Sequence, residues 1–225
     1  MYTVFKNKQD AFEIALLKKH IKPGDTILDI GANIGYYAKI LADLTGPKGK
    51  VHCFEPDTTN FQHLQEETKG LSNVIINNKA VGPKTEKLKI YTSKNLNVDH
   101  RTYKPEEYDK EIEIDAVSLE DYCDVNTKID FIKIDIQGFE MEAMKGMLTV
   151  LKANHDIKMI SEFWPYGLRK AGSSVSDYYN FLKNMNFNIH LLKEDTLEPL
   201  SLEKVQQLEP LGEEHYFNIF VSRHV

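Results

Sequence analysis

Asp29-Ile30-Gly31-Ala32-Asn33-Ile34-Gly35 sets two glycines, an amide and a carboxylate between an apolar run and an amphipathic one. Glycine at such a turn lets backbone approach a ligand where a Cβ would block it. Glu55 closes the next apolar run, Val51–Phe54, and Pro56 fixes the turn behind it. Its two carboxylate oxygens suit the two hydroxyls of a ribose. Farther along, Asp135 and Glu162 end two more apolar runs. In an open α/β sheet, ligands bind at the carboxyl ends of the strands. Four acids at such ends therefore predict a nucleoside-type site with carboxylates left over for chemistry. The alternative is that each acid merely caps the helix that follows, where negative charge is favoured.

The elements that must position these residues alternate strand and helix. Spacing predicts a lead-in helix over 9–20, with Pro23-Gly24 ending it. Strands are expected at Thr26–Ile30, Val51–Phe54, Val74–Ile76, Ile129–Ile134, Ile157–Phe163, Phe187–Leu192 and Tyr216–Val221. Helices are expected at Ile34–Leu44, from Thr58 or Thr59 to Lys69, at Phe139–Lys152, and from Ser173 or Ser174 to Asn184. The stretch between the last two strands shows no convincing helix. The fold class that follows is α/β, a Rossmann-like doubly wound, mostly parallel seven-stranded sheet with an antiparallel strand near the C-terminal edge. Residues 83–117 interrupt the alternation with two further strands, Leu88–Thr92 and Ile112–Ala116, around the polar stretch Ser93–Lys110. A polar insert of that length in a compact domain points to function or disorder. The expected organisation is one domain over 1–225, with 1–24 as helical lead-in and 83–117 as a substrate lid.

The glycine count separates two nucleoside cofactors. A dinucleotide fingerprint has three glycines to admit a pyrophosphate at the helix N-terminus. Here Gly31 and Gly35 flank Asn33, with Asp29 ahead of them. A carboxylate and an amide suit a ligand bearing both an ammonium and a carboxylate. The reading is S-adenosyl-L-methionine, with an NAD-linked oxidoreductase as the disfavoured alternative.

Four segments in order then resemble the FkbM-type methyltransferases: ILDIGANIGYYA at 27–38, VHCFEPDTTNFQHL at 51–64, NKAVG at 78–82 and IDFIKIDIQGFEMEAMKG at 129–146. The last is the most specific. The resemblance implies a Rossmann-like, S-adenosylmethionine-dependent enzyme, of a family thought to methylate hydroxyls on sugars or natural products. It implies cofactor contacts at Asp29, Gly31, Asn33, Gly35 and Glu55, with Ala80 near the adenine; Pro56 and Asp135 join them by position. Where the family pattern often reads Val-Glu-Gly, this chain has Ile136-Gln137-Gly138, so Gln137 lacks the carboxylate.

Methyl transfer from a sulfonium is mostly alignment of acceptor, methyl carbon and sulfur. A hydroxyl acceptor must also lose a proton, and a positioned base contributes ~10²–10⁴-fold. The candidates for catalysis are Asp135, Glu162 and His100. His100 lies in the dense polar cluster Asn97–Tyr103, with Asp99 beside it. Glu140 reads as first-turn helix charge. Trp164, the chain's one tryptophan, could wall the acceptor pocket.

Composition narrows the partners. A net charge of −6 argues against a nucleic-acid backbone as main partner. Two cysteines, Cys53 and Cys123, make neither a disulfide framework nor a metal motif, so a reducing cytoplasm is expected. No resident metal is expected, with Mg²⁺ shared by Asp135, Glu162 and a substrate diol as the minor alternative. No apolar run approaches the ~20 residues of a membrane span. The expected acceptor is a small molecule or sugar. A cofactor-binding module without catalysis is the reading from another class, and it leaves the acids at 135 and 162 without a purpose.

Overall fold

The computed structural model describes residues 11–92, 101–105, 108–124 and 126–224. The early part of the chain alternates as expected. After α1 (Ala11–His20), β1 (Thr26–Ile30), α2 (Tyr36–Thr45), β2 (Lys50–Phe54), α3 (Thr58–Glu67) and β3 (Val74–Asn77) form a parallel unit. β4 (Ala80–Val81), β5 (Glu86–Tyr91) and β6 (Glu111–Val117) leave the main sheet and make a small sheet of their own, in the order β4-β6-β5. The short α4 (Leu119–Tyr122) leads back to β7 (Phe131–Ile134). Then come α5 (Glu140–Lys145), α6 (Leu148–Ala153), β8 (Lys158–Phe163), α7 (Pro165–Lys170), α8 (Val175–Asn184), β9 (Asn188–Lys193), β10 (Thr196–Pro199), α9 (Leu202–Leu208) and β11 (Phe217–Ser222).

The main sheet runs β10-β9-β11-β8-β7-β1-β2-β3. β11 lies antiparallel between β8 and β9, as expected for a strand near the C-terminal edge. The seven expected strands are present, and β10 adds an eighth by folding back antiparallel on β9 through the turn at Glu194-Asp195. β1 pairs with β2 on one side and β7 on the other. It is therefore the switch point, and its carboxyl end opens the crevice where such folds bind ligands.

Each face of the sheet buries its own core. Leu28 and Ile30 pack with Ile132, Ile134, Met144, Leu151 and Tyr178 on one face. Ile27 packs with Leu17, Leu41, Val51, Leu64 and Phe131 on the other. Leu41 is fully buried, and its truncation to Ala would cost ~2–5 kcal/mol.

Several boundaries differ from the sequence reading for local reasons. α2 begins at Tyr36 because Gly35, at φ 91°, still belongs to the turn. The cap of α3 is Asp57 rather than Thr58 or Thr59: its side chain accepts from Asn60 N at 2.9 Å. The helix expected over 139–152 is two, broken at Gly146, where a Cβ would stand 2.0 Å from the Gly82 carbonyl oxygen. The polar stretch before β11 does hold a helix, α9, capped by Ser201 through Lys204 N. Among the described residues, no helix is long and apolar enough to cross a membrane.

Candidate active site

Gly31 continues straight out of β1. At φ 83° it adopts a conformation glycine takes without strain, and a Cβ there would stand 2.0 Å from the Asp135 carbonyl oxygen. The β1 and β7 ends are thus pressed together at backbone distance. Gly31 N and Ala32 N both donate to Phe54 O at 3.0 Å, which ties the turn to β2. Asn33 follows at φ 50°, one of the few side chains that tolerate the left-handed region. Its backbone N–H donates to Glu55 Oε2 at 2.9 Å.

Glu55 holds the turn together from the β2 side. Oε2 takes the Asn33 amide, and Oε1 takes the Asp57 amide at 2.9 Å. An ionised carboxylate offers about four acceptor positions, so each oxygen retains one for a vicinal diol. Burial pushes the Glu55 carboxyl up to about 7, against the pull of those two amides. A small cavity of about 70 Å³ lies beside it, lined by Glu55, Pro56, Ala80, Val81, Thr102 and Phe139. Five expected contact residues therefore sit around one space: Gly31, Asn33, Glu55, Pro56 and Ala80, with Asp135 as a sixth.

Asp29 and Gly35 are placed differently. Asp29 is fully buried beneath the turn, lines neither cavity, and leaves both carboxylate oxygens without a hydrogen-bond partner. Burial raises its pKa to about 6, opposed by Lys133, its register partner on β7, and aided by Asp135. Gly35 shapes the entry to α2, against Leu64, rather than facing a cavity.

A larger cavity of about 650 Å³ opens at the carboxyl ends of β7 and β8. Gly31, Asn33, Asp135 and Gln137 line both cavities and form the junction between them. Glu162, the last polar residue of β8, stands in the wall of the larger cavity at 8% exposure, and its Oε2 has no partner. Burial pushes its carboxyl well above the usual range; the charges of Asp135 and Glu140 push it farther, and Lys133 pulls it back. Asp135 is more open and has Lys133 Nζ 3.7 Å from Oδ2. Trp164 walls the same cavity and is fixed by its Nε1 donating to Glu213 O at 2.9 Å. His100 and Asp99 lie outside the described residues.

Four further residues gather here that sequence reasoning did not assign. Lys133 is 4% exposed, stands 4.2 Å over the Tyr37 ring, and supplies a buried cation among the acids. A lysine in the middle of the core strand Phe-Ile-Lys-Ile was the available signal. Arg101 reaches from the insert over the Trp164 ring at 5.2 Å and pairs with Glu213 at 2.7 Å. Gln137 bridges toward Asp135 Oδ1 at 3.2 Å and Glu162 Oε1 at 3.5 Å. Glu140 is in the first turn of α5, as expected, and it is also fully buried: its Oε1 accepts from Ile136 N at 2.9 Å, and burial raises its pKa.

These residues fit a ligand with a ribose, a charged amino-acid end and a reactive centre between: an acceptor carboxylate beside a small pocket, close-approach backbone at Gly31, and a junction to a second cavity. Known proteins agree. The chain is 40% identical to a protein-L-isoaspartate O-methyltransferase from Methanococcoides burtonii over 58 residues, 25% of this chain and 29% of the relative. It thus spans less than a third of the length of the curated relatives it matches. Fibrillarin from Aeropyrum pernix, solved with natively bound S-adenosyl-L-methionine, shares the fold at a TM-score of 0.55 and 14% identity, over 94% of this chain and 74% of that one. An S-adenosylmethionine-dependent O-methyltransferase from Thermotoga maritima does so at 0.53 and 14% identity, over 96% and 64%. The sequence pattern of the methyltransferase FkbM domain matches residues 29–189, from the Asp29 turn to the start of β9. The chain belongs to the FkbM methyltransferase family, and its cofactor is S-adenosyl-L-methionine.

Proposed function

We propose that the chain methylates a hydroxyl group on a sugar or small natural product. The observation that carries this reading is the junction: Asp135 lines both the small cavity beside Glu55 and the 650 Å³ cavity that holds Glu162. When bound, the cofactor supplies a methyl group on a sulfonium, already a good leaving group. What the protein adds is alignment and a place for the acceptor proton.

Glu55 holds the ribose hydroxyls, and Gly31 and Asn33 admit the amino-acid end. Asp135, with Lys133 Nζ 3.7 Å from its Oδ2, sets a carboxylate at the junction, where it favours a cationic sulfur. Glu162 is the base: a buried carboxylate whose pKa is raised and whose second oxygen has no partner holds an accepted proton strongly. A cavity of 650 Å³ suits a ligand of small-molecule size rather than a polymer. The same holds for the net charge of −6. The insert at 83–117 acts as a lid, with Arg101 its anchor across the cavity mouth on Trp164 and Glu213. The polypeptide works as one domain in the cytoplasm, consistent with two free cysteines.

The test is transfer of a labelled methyl from S-adenosylmethionine to a panel of sugars, glycosides and hydroxylated natural products. Label on an oxygen of a small acceptor supports the reading. Label only on an amine, an RNA or a protein overturns it, and binding of cofactor with no transfer to any class replaces it with a non-catalytic module.

A further inference from the structure

The turn after β7 has a conformation that a residue with a side chain seldom adopts. Gln137 sits at φ 57° and Gly138 at φ 96°. Glutamine has no short side chain to bond its own backbone there, as asparagine has, so the left-handed geometry is strained. The surroundings hold it. Glu140 Oε1 accepts from Ile136 N at 2.9 Å and from Gly138 N at 3.4 Å. Gly138 packs so tightly that a Cβ would stand 2.3 Å from the Gly167 carbonyl carbon. Strain maintained this way at a site points to a task for the side chain it displays.

That side chain lies at the junction of the two cavities. Nε2 is 3.2 Å from Asp135 Oδ1 and 3.5 Å from Glu162 Oε1. An amide nitrogen carries two hydrogens and ionised carboxylates only accept, so one group serves both acids. The opposite amide orientation would set an oxygen against two carboxylates. Among the described residues, the charged groups around the pair are Asp29 from β1, Lys133 from β7 and Glu140 from α5, with Glu13 from α1, Arg101, Lys193, Glu194 and Glu213 lining the same cavity. Asp135 and Glu140 oppose ionisation of Glu162, and Lys133 favours it. The Gln137 backbone amide also favours the charged form of Glu162.

We propose that Gln137 is a positioning residue which, through its shared amide donor, couples Asp135 and Glu162 so that the two acids gain and lose protons as one unit. This rests on the methyltransferase reading of the site and adds a residue that is neither base nor cofactor cradle. Gln137→Glu keeps the shape, removes the donor and adds a third acid. Gln137→Gly removes the donor and relieves the backbone, so it folds at least as well as the wild type.

Carboxyl ¹³C resonances of aspartate and glutamate, followed from pH 4 to pH 9, read the coupling without an acceptor. Asp135→Asn and Glu162→Gln assign the signals, and in each the partner acid is expected to lose its second titration step. In Gln137→Glu the apparent pKa of the pair is expected to rise by about one pH unit or more, and in Gln137→Gly by a smaller amount in the same direction. A folded Gln137→Gly protein whose acids titrate as in the wild type overturns the proposal, as does independent titration of the two acids in the wild type. Calorimetry of the wild type with S-adenosylhomocysteine runs alongside. Absent binding there counts against the methyltransferase reading of the site, while the titrations alone decide the role of Gln137.

Discussion

The backbone N–H of Asn33 donates to Glu55 Oε2 at 2.9 Å, so the glycine turn after β1 and the acid after β2 form one hydrogen-bonded unit. On the function proposed above, that turn would receive the amino-acid end of the cofactor, and the remaining lone pairs of the acid would take the ribose. Glu55→Ala removes both functions and leaves the Asn33 and Asp57 amides without their carboxylate. Hydrogen bonds to a charged group contribute ~1.5–3 kcal/mol each. Calorimetry should therefore show S-adenosylhomocysteine affinity falling by roughly 10- to 100-fold.

Gly31 tolerates no side chain. Gly31→Ala combines φ 83° with a Cβ placed 2.0 Å from the Asp135 carbonyl oxygen. The conformation alone costs roughly 1–3 kcal/mol, and relief of the clash moves the β7 end. Urea denaturation should show that loss of stability, and cofactor binding should fall with it. Gly172→Ala shares a positive φ with nothing within 4 Å, and serves as the control for conformation without collision.

Stability should fall as pH rises toward neutrality in the ligand-free protein. Burial holds the Glu55 carboxyl at about 7 and that of Asp29 at about 6, both above their unfolded values. The folded state therefore binds these protons more tightly. Their favourable contribution is complete below the unfolded pKa and is lost as pH climbs through the folded one. In Glu55→Gln the decline between about pH 5 and about pH 7 should be shallower, by at most ~1.4 kcal/mol per pH unit. Binding to ionised Glu55 runs the other way, so S-adenosylhomocysteine affinity in the wild type should strengthen as pH rises through 7.

Arg101 anchors the insert across the larger cavity. It stands over Trp164, pairs with Glu213 and is bridged through its backbone to Tyr91. Arg101→Ala should accelerate tryptic cleavage at Lys110 several-fold. Because the contact lies on the larger cavity's rim, affinity for S-adenosylhomocysteine should change by less than about twofold, within the ~0.5 kcal/mol typical of surface changes. Unchanged cleavage would show that the insert is held elsewhere.

The candidates that sequence reasoning offered and that line the cavities are those whose place is written in local spacing. β1 and β2 are short apolar runs, and the glycines, Asn33 and Glu55 sit directly at their ends. Asp135 and Glu162 were found for the same reason. What escaped depends on contacts between distant segments. The eighth strand, Thr196–Pro199, has a burial pattern with no inward run of its own and exists because β9 offers it an edge. Asp29 carries the right residue type for ligand contact, yet the register of β1 against Cys53 and Lys133 sets it beneath the turn. Gln137 showed only an absent carboxylate; its left-handed backbone, and hence its reach to two acids, follows from the packing of Gly138 on Gly167. Arg101 meets Glu213 across 112 positions of sequence, beyond any local pattern.

The central claim is that Glu162 takes a proton from a hydroxyl acceptor held in the 650 Å³ cavity beside the cofactor junction. The most direct measurement is transfer of labelled methyl to a hydroxylated small molecule by the wild type and by Glu162→Gln, with cofactor affinity measured on both. The account predicts label on an acceptor oxygen and a ~10²–10⁴-fold lower kcat in the variant, with the Kd for S-adenosylhomocysteine nearly unchanged. Near-normal kcat in Glu162→Gln, or label on nitrogen or carbon, would contradict it.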